Sequence, residues 1–114
     1  MSNEYINLTE DGGVKKKLLS LGSGDQPSNN NEIIISFTST IDNKTTKKEN
    51  FRFSLGNNEV NSGLEIAVKS MKINEKSSFI ISPEYSNNKK NSIYEIILLQ
   101  ILIKDMRTVK WEMT

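Results

Sequence analysis

Phe51-Arg52-Phe53-Ser54-Leu55-Gly56, followed directly by Asn57-Asn58-Glu59-Val60-Asn61-Ser62-Gly63-Leu64-Glu65-Ile66-Ala67-Val68-Lys69-Ser70-Met71, decides the fold. The first six residues alternate apolar and polar and stop at a glycine, as a half-buried strand does. Beyond it the apolar spacing changes to that of a helix. Leu64, Ala67, Val68 and Met71 fall at i, i+3, i+4 and i+7, which makes one apolar face. Ser62 and Glu65 stand at capping-box spacing, so the helix is expected to start at Ser62. Alternation puts Phe51, Phe53 and Leu55 on one strand face, where they meet Leu64 and Val68.

Upstream, residues 1–10 read as a flexible leader, closed by the turn signal Asp11-Gly12-Gly13. Val14 to Leu21 is an amphipathic strand whose Lys15, Lys16 and Lys17 are expected to form a solvated edge. Residues 22–31 form a loop, and Glu32 to Asp42 a strand rich in β-branched residues. Asn43 to Asn50 holds no apolar residue and is expected to be an exposed loop. Downstream come a strand from Lys76 to Pro83, a polar loop from Glu84 to Ser92, and a long final strand from Ile93 to Ile103. That makes about five strands and one short helix, an α+β fold with the helix packed on an antiparallel sheet. The final strand is apolar on both faces, Ile97, Leu99, Ile101 and Ile103 on one and Tyr94, Ile96, Leu98 and Leu102 on the other. Its outer face is therefore expected to pack against the chain's own termini, a neighbouring domain or a second copy.

Composition limits the chemistry. The 114 residues carry 15 basic and 14 acidic side chains, a net charge of +1, which points to neither nucleic acid nor an anionic membrane. Cysteine and histidine are both absent, so disulfides, thiol catalysis, the Ser-His-Asp triad and imidazole metal ligands are excluded. No metal or cofactor is implied. Asp42, Glu49, Glu59, Glu65, Glu84 and Glu95 are scattered over separate elements and make no acid–base pair. Gly22-Ser23-Gly24 lacks the third glycine and following helix of a dinucleotide loop. The start is polar and acidic, without a secretory pattern, and the longest apolar run, Ile96 to Ile103, is too short to span a bilayer. A soluble, cytoplasmic protein is expected. The 14 asparagines read as compositional bias.

The order of short motifs resembles one family. Asp11-Gly12-Gly13-Val14-Lys15-Lys16, Phe51 to Val60, Gly63-Leu64-Glu65, Met71-Lys72-Ile73-Asn74-Glu75-Lys76, Ile81-Ser82-Pro83-Glu84-Tyr85 and Tyr94 to Leu99 are similar, in sequence, to FKBP-type peptidyl-prolyl cis–trans isomerase domains. The resemblance covers about residues 11–103 and implies a five- or six-stranded antiparallel sheet wrapped around one short helix. An X–Pro bond isomerises slowly because partial double-bond character sets a barrier of about 18–20 kcal/mol. In this family a dry aromatic pocket favours the twisted amide, with no nucleophile, metal or cofactor. Carried over by resemblance, the pocket is Phe37, Phe51, Val60, Asn61, Leu64, Ile81 and Tyr94, with Glu59 nearby through its backbone.

The chain departs from the family pattern at several of these positions. Leu64 stands where the family has a tryptophan floor, Phe37 replaces a tyrosine, and Asn61 replaces an apolar residue. The Ile41–Phe51 and Pro83–Tyr94 connections are short, the aromatic–aspartate pair of the first is missing, and Asn87 stands in place of a ligand-binding tyrosine. These departures imply an eroded proline pocket: a low-activity or inactive interaction module of a co-chaperone. The alternative is an active isomerase that assists protein folding and binds macrolides, with Leu64 the residue that separates the two. The domain is expected over 11–105. Residues 106–114, with Val109-Lys110-Trp111-Glu112-Met113, are similar to the linker that leads to tetratricopeptide repeats in large immunophilins. The expected partners are proline-containing clients or a chaperone complex.

Overall fold

The computed structural model describes residues 5–87 and 89–102. Its elements run β1 (Ile6–Asn7), β2 (Val14–Ser20), β3 (Glu32–Ile41), β4 (Lys44–Ser54), α1 (Ser62–Lys69), β5 (Lys76–Ile81), α2 (Pro83–Ser86) and β6 (Ser92–Leu102). Six strands form one sheet in the order β1-β2-β5-β6-β3-β4, and every pair is antiparallel. The architecture is the expected α+β one, with one more strand and one more short helix.

The core lies between α1 and one sheet face. Val14, Ile33, Ile35, Phe53, Leu55, Phe79, Ile81, Tyr94, Ile96 and Leu98 project from the strands toward Leu64, Ala67, Val68 and Met71. Burying each large side chain of this set contributes roughly 1.5–3 kcal/mol. Gly63 allows α1 to sit this close, since a Cβ there would lie 2.4 Å from Ile81 Cγ2.

Four expectations are corrected. Residues 43–50 are not a loop: β3 and β4 pair from Ile41–Lys44 inward, around Asp42 and Asn43, which both have positive φ as in a type I′ hairpin turn. The described part of the leader is not free. Ile6 and Asn7 pair with Lys16 and Lys15, and Leu8 N donates to Val14 O. The polarity of β2 is the reverse of that expected. Lys16 turns inward to an ion pair with Glu75 at 2.7 Å, while Leu18, Leu19 and Leu21 are exposed. Finally, the faces of β6 switch. Ile35 pairs with Leu98 and Ile34 with Gln100, so Leu99 is an extra residue, and Ile101 beyond it returns to the core side opposite Ile33.

The outer sheet face is covered in part by the chain itself. Tyr5 Oη lies 2.8 Å from Ser78 Oγ and Lys17 Nζ stands 5.7 Å from the Tyr5 ring centre. Ile93, further along that face, is 46% exposed. Among the described residues no helix is long and apolar enough to cross a membrane.

Candidate functional site

Three rings meet where β3, β4 and β6 run side by side. Phe37 of β3 lies 5.7 Å from Phe51 of β4, edge to face, and 5.6 Å from Tyr94 of β6; Phe51 in turn lies 5.7 Å from Phe53. Their convergence follows from register. Phe37 pairs with Ile96 and Ser39 with Tyr94, so both rings rise from the face that carries the core. Phe51 reaches them through a β4 irregularity. Ile35 pairs with Phe51 but Phe37 with Lys48, which leaves Glu49 and Asn50 against Ser36 alone. Asn50 takes φ 54°, and its amide donates to Ser36 Oγ at 3.2 Å. Phe37 and Phe51 are half-buried, resting on the core with part of each ring open. Such ring pairs each contribute about 0.5–1.5 kcal/mol beyond the area they bury.

The segment from β4 to α1 carries the remaining residues. Val60 is half-buried against the core. Asn61 is the N-cap of α1: its Oδ1 accepts from Leu64 N at 2.7 Å, and its carbonyl accepts from Glu65 N at 3.2 Å. This displaces the expected capping box by one residue. Glu65 Oε2 instead accepts from Gly56 N at 2.9 Å, and Glu59 Oε1 from Ser54 N at 3.0 Å. Two carboxylates thus stitch the 56–61 segment to its neighbours. Leu64 is 3% exposed and Ile81 fully buried, so both belong to the packed core beneath the site.

Tyr85 of α2 bears on the start of α1 and on the first turn of the chain. A Cβ at Gly13 would lie 2.2 Å from the Tyr85 ring, and one at Gly63 would lie 3.1 Å from Tyr85 Cβ. The Tyr85 hydroxyl donates to Asp11 Oδ2 at 2.9 Å. Hydrogen bonds from the Thr9 hydroxyl, the Gly13 amide and Tyr85 hold the Asp11 carboxyl below its ordinary value. The same bond to Asp11, followed by burial, pushes the Tyr85 hydroxyl up. Asn87, which closes α2 in a left-handed conformation, is exposed.

The structure therefore brings Phe37, Phe51 and Tyr94 together and spends Asn61 on the helix. It buries Leu64 and Ile81. Nothing in this cluster can act as nucleophile or acid–base pair; it offers an apolar aromatic surface. A separate cavity of about 640 Å³ is lined by Asp25, Gln26, Ser28, Asn31, Ile73 and Ile101. Ile101 stands seven residues along β6 from Tyr94, about 23 Å at strand rise, so that cavity is a different place.

Comparison with known proteins matches residues 24–112 to the family model described as FKBP-type peptidyl-prolyl cis-trans isomerase. The chain is 27% identical to FK506-binding protein 59 of Drosophila melanogaster, over 94% of this chain and 26% of that protein. It is 31% identical to the chloroplastic peptidyl-prolyl cis-trans isomerase FKBP17-1 of Arabidopsis thaliana, over 79% of this chain and 46% of that one. The chain thus spans less than half the length of these curated relatives. Among solved structures, the three FKBP domains of wheat FKBP73 superpose with a TM-score of 0.79 at 21% identity, covering 87% of this chain and 48% of that one. A peptidyl-prolyl cis-trans isomerase of Pseudomonas syringae superposes at 0.77 and 18% identity, covering 89% and 83%. With the sheet, α1 packed on one face of it and a family-model match over most of its length, the chain belongs to the FKBP-type peptidyl-prolyl cis-trans isomerase family.

Proposed function

We propose that this chain is an FKBP-type domain that holds proline-containing protein segments while accelerating their isomerisation little or not at all, as an interaction module of a longer co-chaperone. The observation that carries this reading is the fate of position 64. By resemblance the family floor there is a tryptophan ring; here Leu64 is a core side chain, 3% exposed, and offers no flat surface to a proline. Asn61, which by resemblance carries the amide that holds the substrate carbonyl, has its side chain folded back onto Leu64 N. Phe37 brings a ring without a hydroxyl. What persists is the Phe37–Phe51–Tyr94 cluster, which suits an apolar residue better than it suits tight control of a twisted amide.

A second reading, an active isomerase, is favoured by that same surviving cluster. Titration with a macrolide of the FK506 class, followed by NMR, separates the two. The unmodified chain is expected to show no saturation at nanomolar ligand, and Leu64→Trp to gain affinity. Nanomolar binding by the unmodified chain overturns the eroded-pocket reading.

The length of the relatives supports membership in a larger assembly, since this chain covers 26% of the Drosophila protein. We place it beside a tetratricopeptide-repeat region that would bring it to a chaperone. The linker 106–114 expected for that role lies outside the described residues.

A further inference from the structure

The face that carries the aromatic cluster also carries two lysines that have no ion-pair partner among the described residues. Cross-strand partners share a sheet face, so the pairs Phe37–Lys48, Ser39–Thr46 and Ile41–Lys44 put Lys44 and Lys48 on the side of Phe37 and Tyr94. Lys48 Nζ stands 5.9 Å from the Phe51 ring centre, at the cluster itself. Both lysines are exposed, and among the described residues neither has a carboxylate within ion-pair distance. The acids around them are engaged elsewhere. Asp42 at the hairpin turn pairs with Lys90 at 3.0 Å, Glu49 with Lys47 at 3.2 Å, and Glu95, opposite Thr38, with Lys76 at 3.4 Å. Glu59 and Glu65, at the helix end of the site, accept from backbone amides. A half-open apolar surface is left with an uncompensated cationic border on its hairpin side.

From this juxtaposition we infer that the β3–β4 hairpin selects acidic segments. Lys44 and Lys48 receive Asp or Glu side chains that flank the apolar residue seated on Phe37, Phe51 and Tyr94. The inference rests on reading the cluster as a peptide-binding site and adds which peptides it takes. An extended protein segment is the occupant that fits. β4 is an edge strand, so a chain lying along it meets the lysines in turn. Two lysines on a chain of net charge +1 are too few for a nucleic acid, whose binding draws on many phosphate contacts.

The test uses the full chain and two fluorescein-labelled peptides, Glu-Asp-Ala-Phe-Pro-Ala-Asp-Glu and its Gln/Asn counterpart. Polarisation gives affinity, and the ring resonances of Phe37, Phe51 and Tyr94 report the site. The acidic peptide is expected to bind about tenfold tighter at low salt, as two surface ion pairs of ordinary strength allow, with the preference fading toward 0.5 M salt. Lys44→Glu with Lys48→Glu abolishes the preference, Lys44→Gln with Lys48→Gln reduces it, and Lys72→Glu, exposed in the connection after α1, leaves it. Equal affinity for the two peptides, with ring shifts from both, overturns the lysine inference while the aromatic site stands. Ring shifts from neither peptide remove the site and the inference together. A preference that survives the double substitution, or an RNA oligonucleotide that displaces the acidic peptide at lower concentration than the peptide itself, also overturns the inference.

Discussion

Glu75 is 5% exposed, and its carboxylate is fully engaged: it pairs with Lys16 at 2.7 Å and accepts from Ser77 Oγ at 2.7 Å and Lys72 N at 3.0 Å. Lys16 in turn donates to Ser70 O at 2.7 Å, so one ion pair joins β2 to the chain leaving α1 and to the start of β5. Taking away one partner of so deep a pair leaves the other charge buried and uncompensated. Glu75→Gln, which leaves the Lys16 ammonium without its counter-ion, is expected to cost about 3–5 kcal/mol. Lys16→Met combined with Glu75→Gln should cost clearly less than the two single changes added. Denaturant unfolding of the four proteins checks this, and strict additivity would contradict it. The pair was illegible in sequence because its members lie far apart along the chain; a run of three lysines reads as a solvated edge until the register is known. The asparagines were misread for a related reason. Asn30, Asn43, Asn50, Asn58, Asn74 and Asn87 all adopt positive φ, as Asp42 does, so part of what looks like compositional bias supplies left-handed turns.

At the scale of elements, the helix was legible in extent and misread at its cap. Its apolar face, Leu64, Ala67 and Val68, is the buried one, with Met71 buried just past the C-cap, because a 3.6-residue period survives any arrangement of neighbours. The cap depends on one torsion, and Asn61 competes with Ser62 for it. Asn61→Ala is therefore expected to lower stability by about 1 kcal/mol and Ser62→Ala by much less; thermal melts giving the reverse order would restore the capping box. The β3–β4 hairpin was missed because its outer half, Lys44 to Asn50, is exposed on both faces and shows no hydrophobic alternation. The available signal was Asp42-Asn43 between β-branched residues. The N-terminal turn and α2 form a smaller unit held by Asp11 and Tyr85. Asp11 is depressed from 3.8, so its share of stability is present above that pH and is lost as pH falls through the lowered folded value. Tyr85 is raised from 10.0, so its share is present below that pH and is lost as pH rises through the raised value. The stability gap between the unmodified chain and Tyr85→Phe should thus be widest between these limits and shrink at both ends. A gap constant from about pH 2 to about pH 11 would mean that the hydrogen bond contributes nothing.

On the scale of the whole molecule, the fold class could be read from periodicity, but the strand order could not. β2-β5-β6-β3 is set by which edges meet after collapse, and the bulge at Leu99 that returns Ile101 to the core has no mark in an unbroken apolar run. The aromatic positions were legible for the opposite reason. Phe37, Phe51 and Tyr94 each obey the two-residue period on their own strand, so burying one face puts all three on it, and the register then sets them side by side. The asymmetry matters for function. The sheet keeps the rings in place independently of the segment after β4, where Leu64 is a core residue. On the proposed reading, this fold holds proline-containing segments without appreciable catalysis. The direct measurement is NMR exchange spectroscopy on an Ala-Phe-Pro-type peptide with the folded chain added at catalytic concentration, with and without macrolide. Cis–trans exchange is expected at the uncatalysed rate in both samples; acceleration that the macrolide abolishes would contradict that reading.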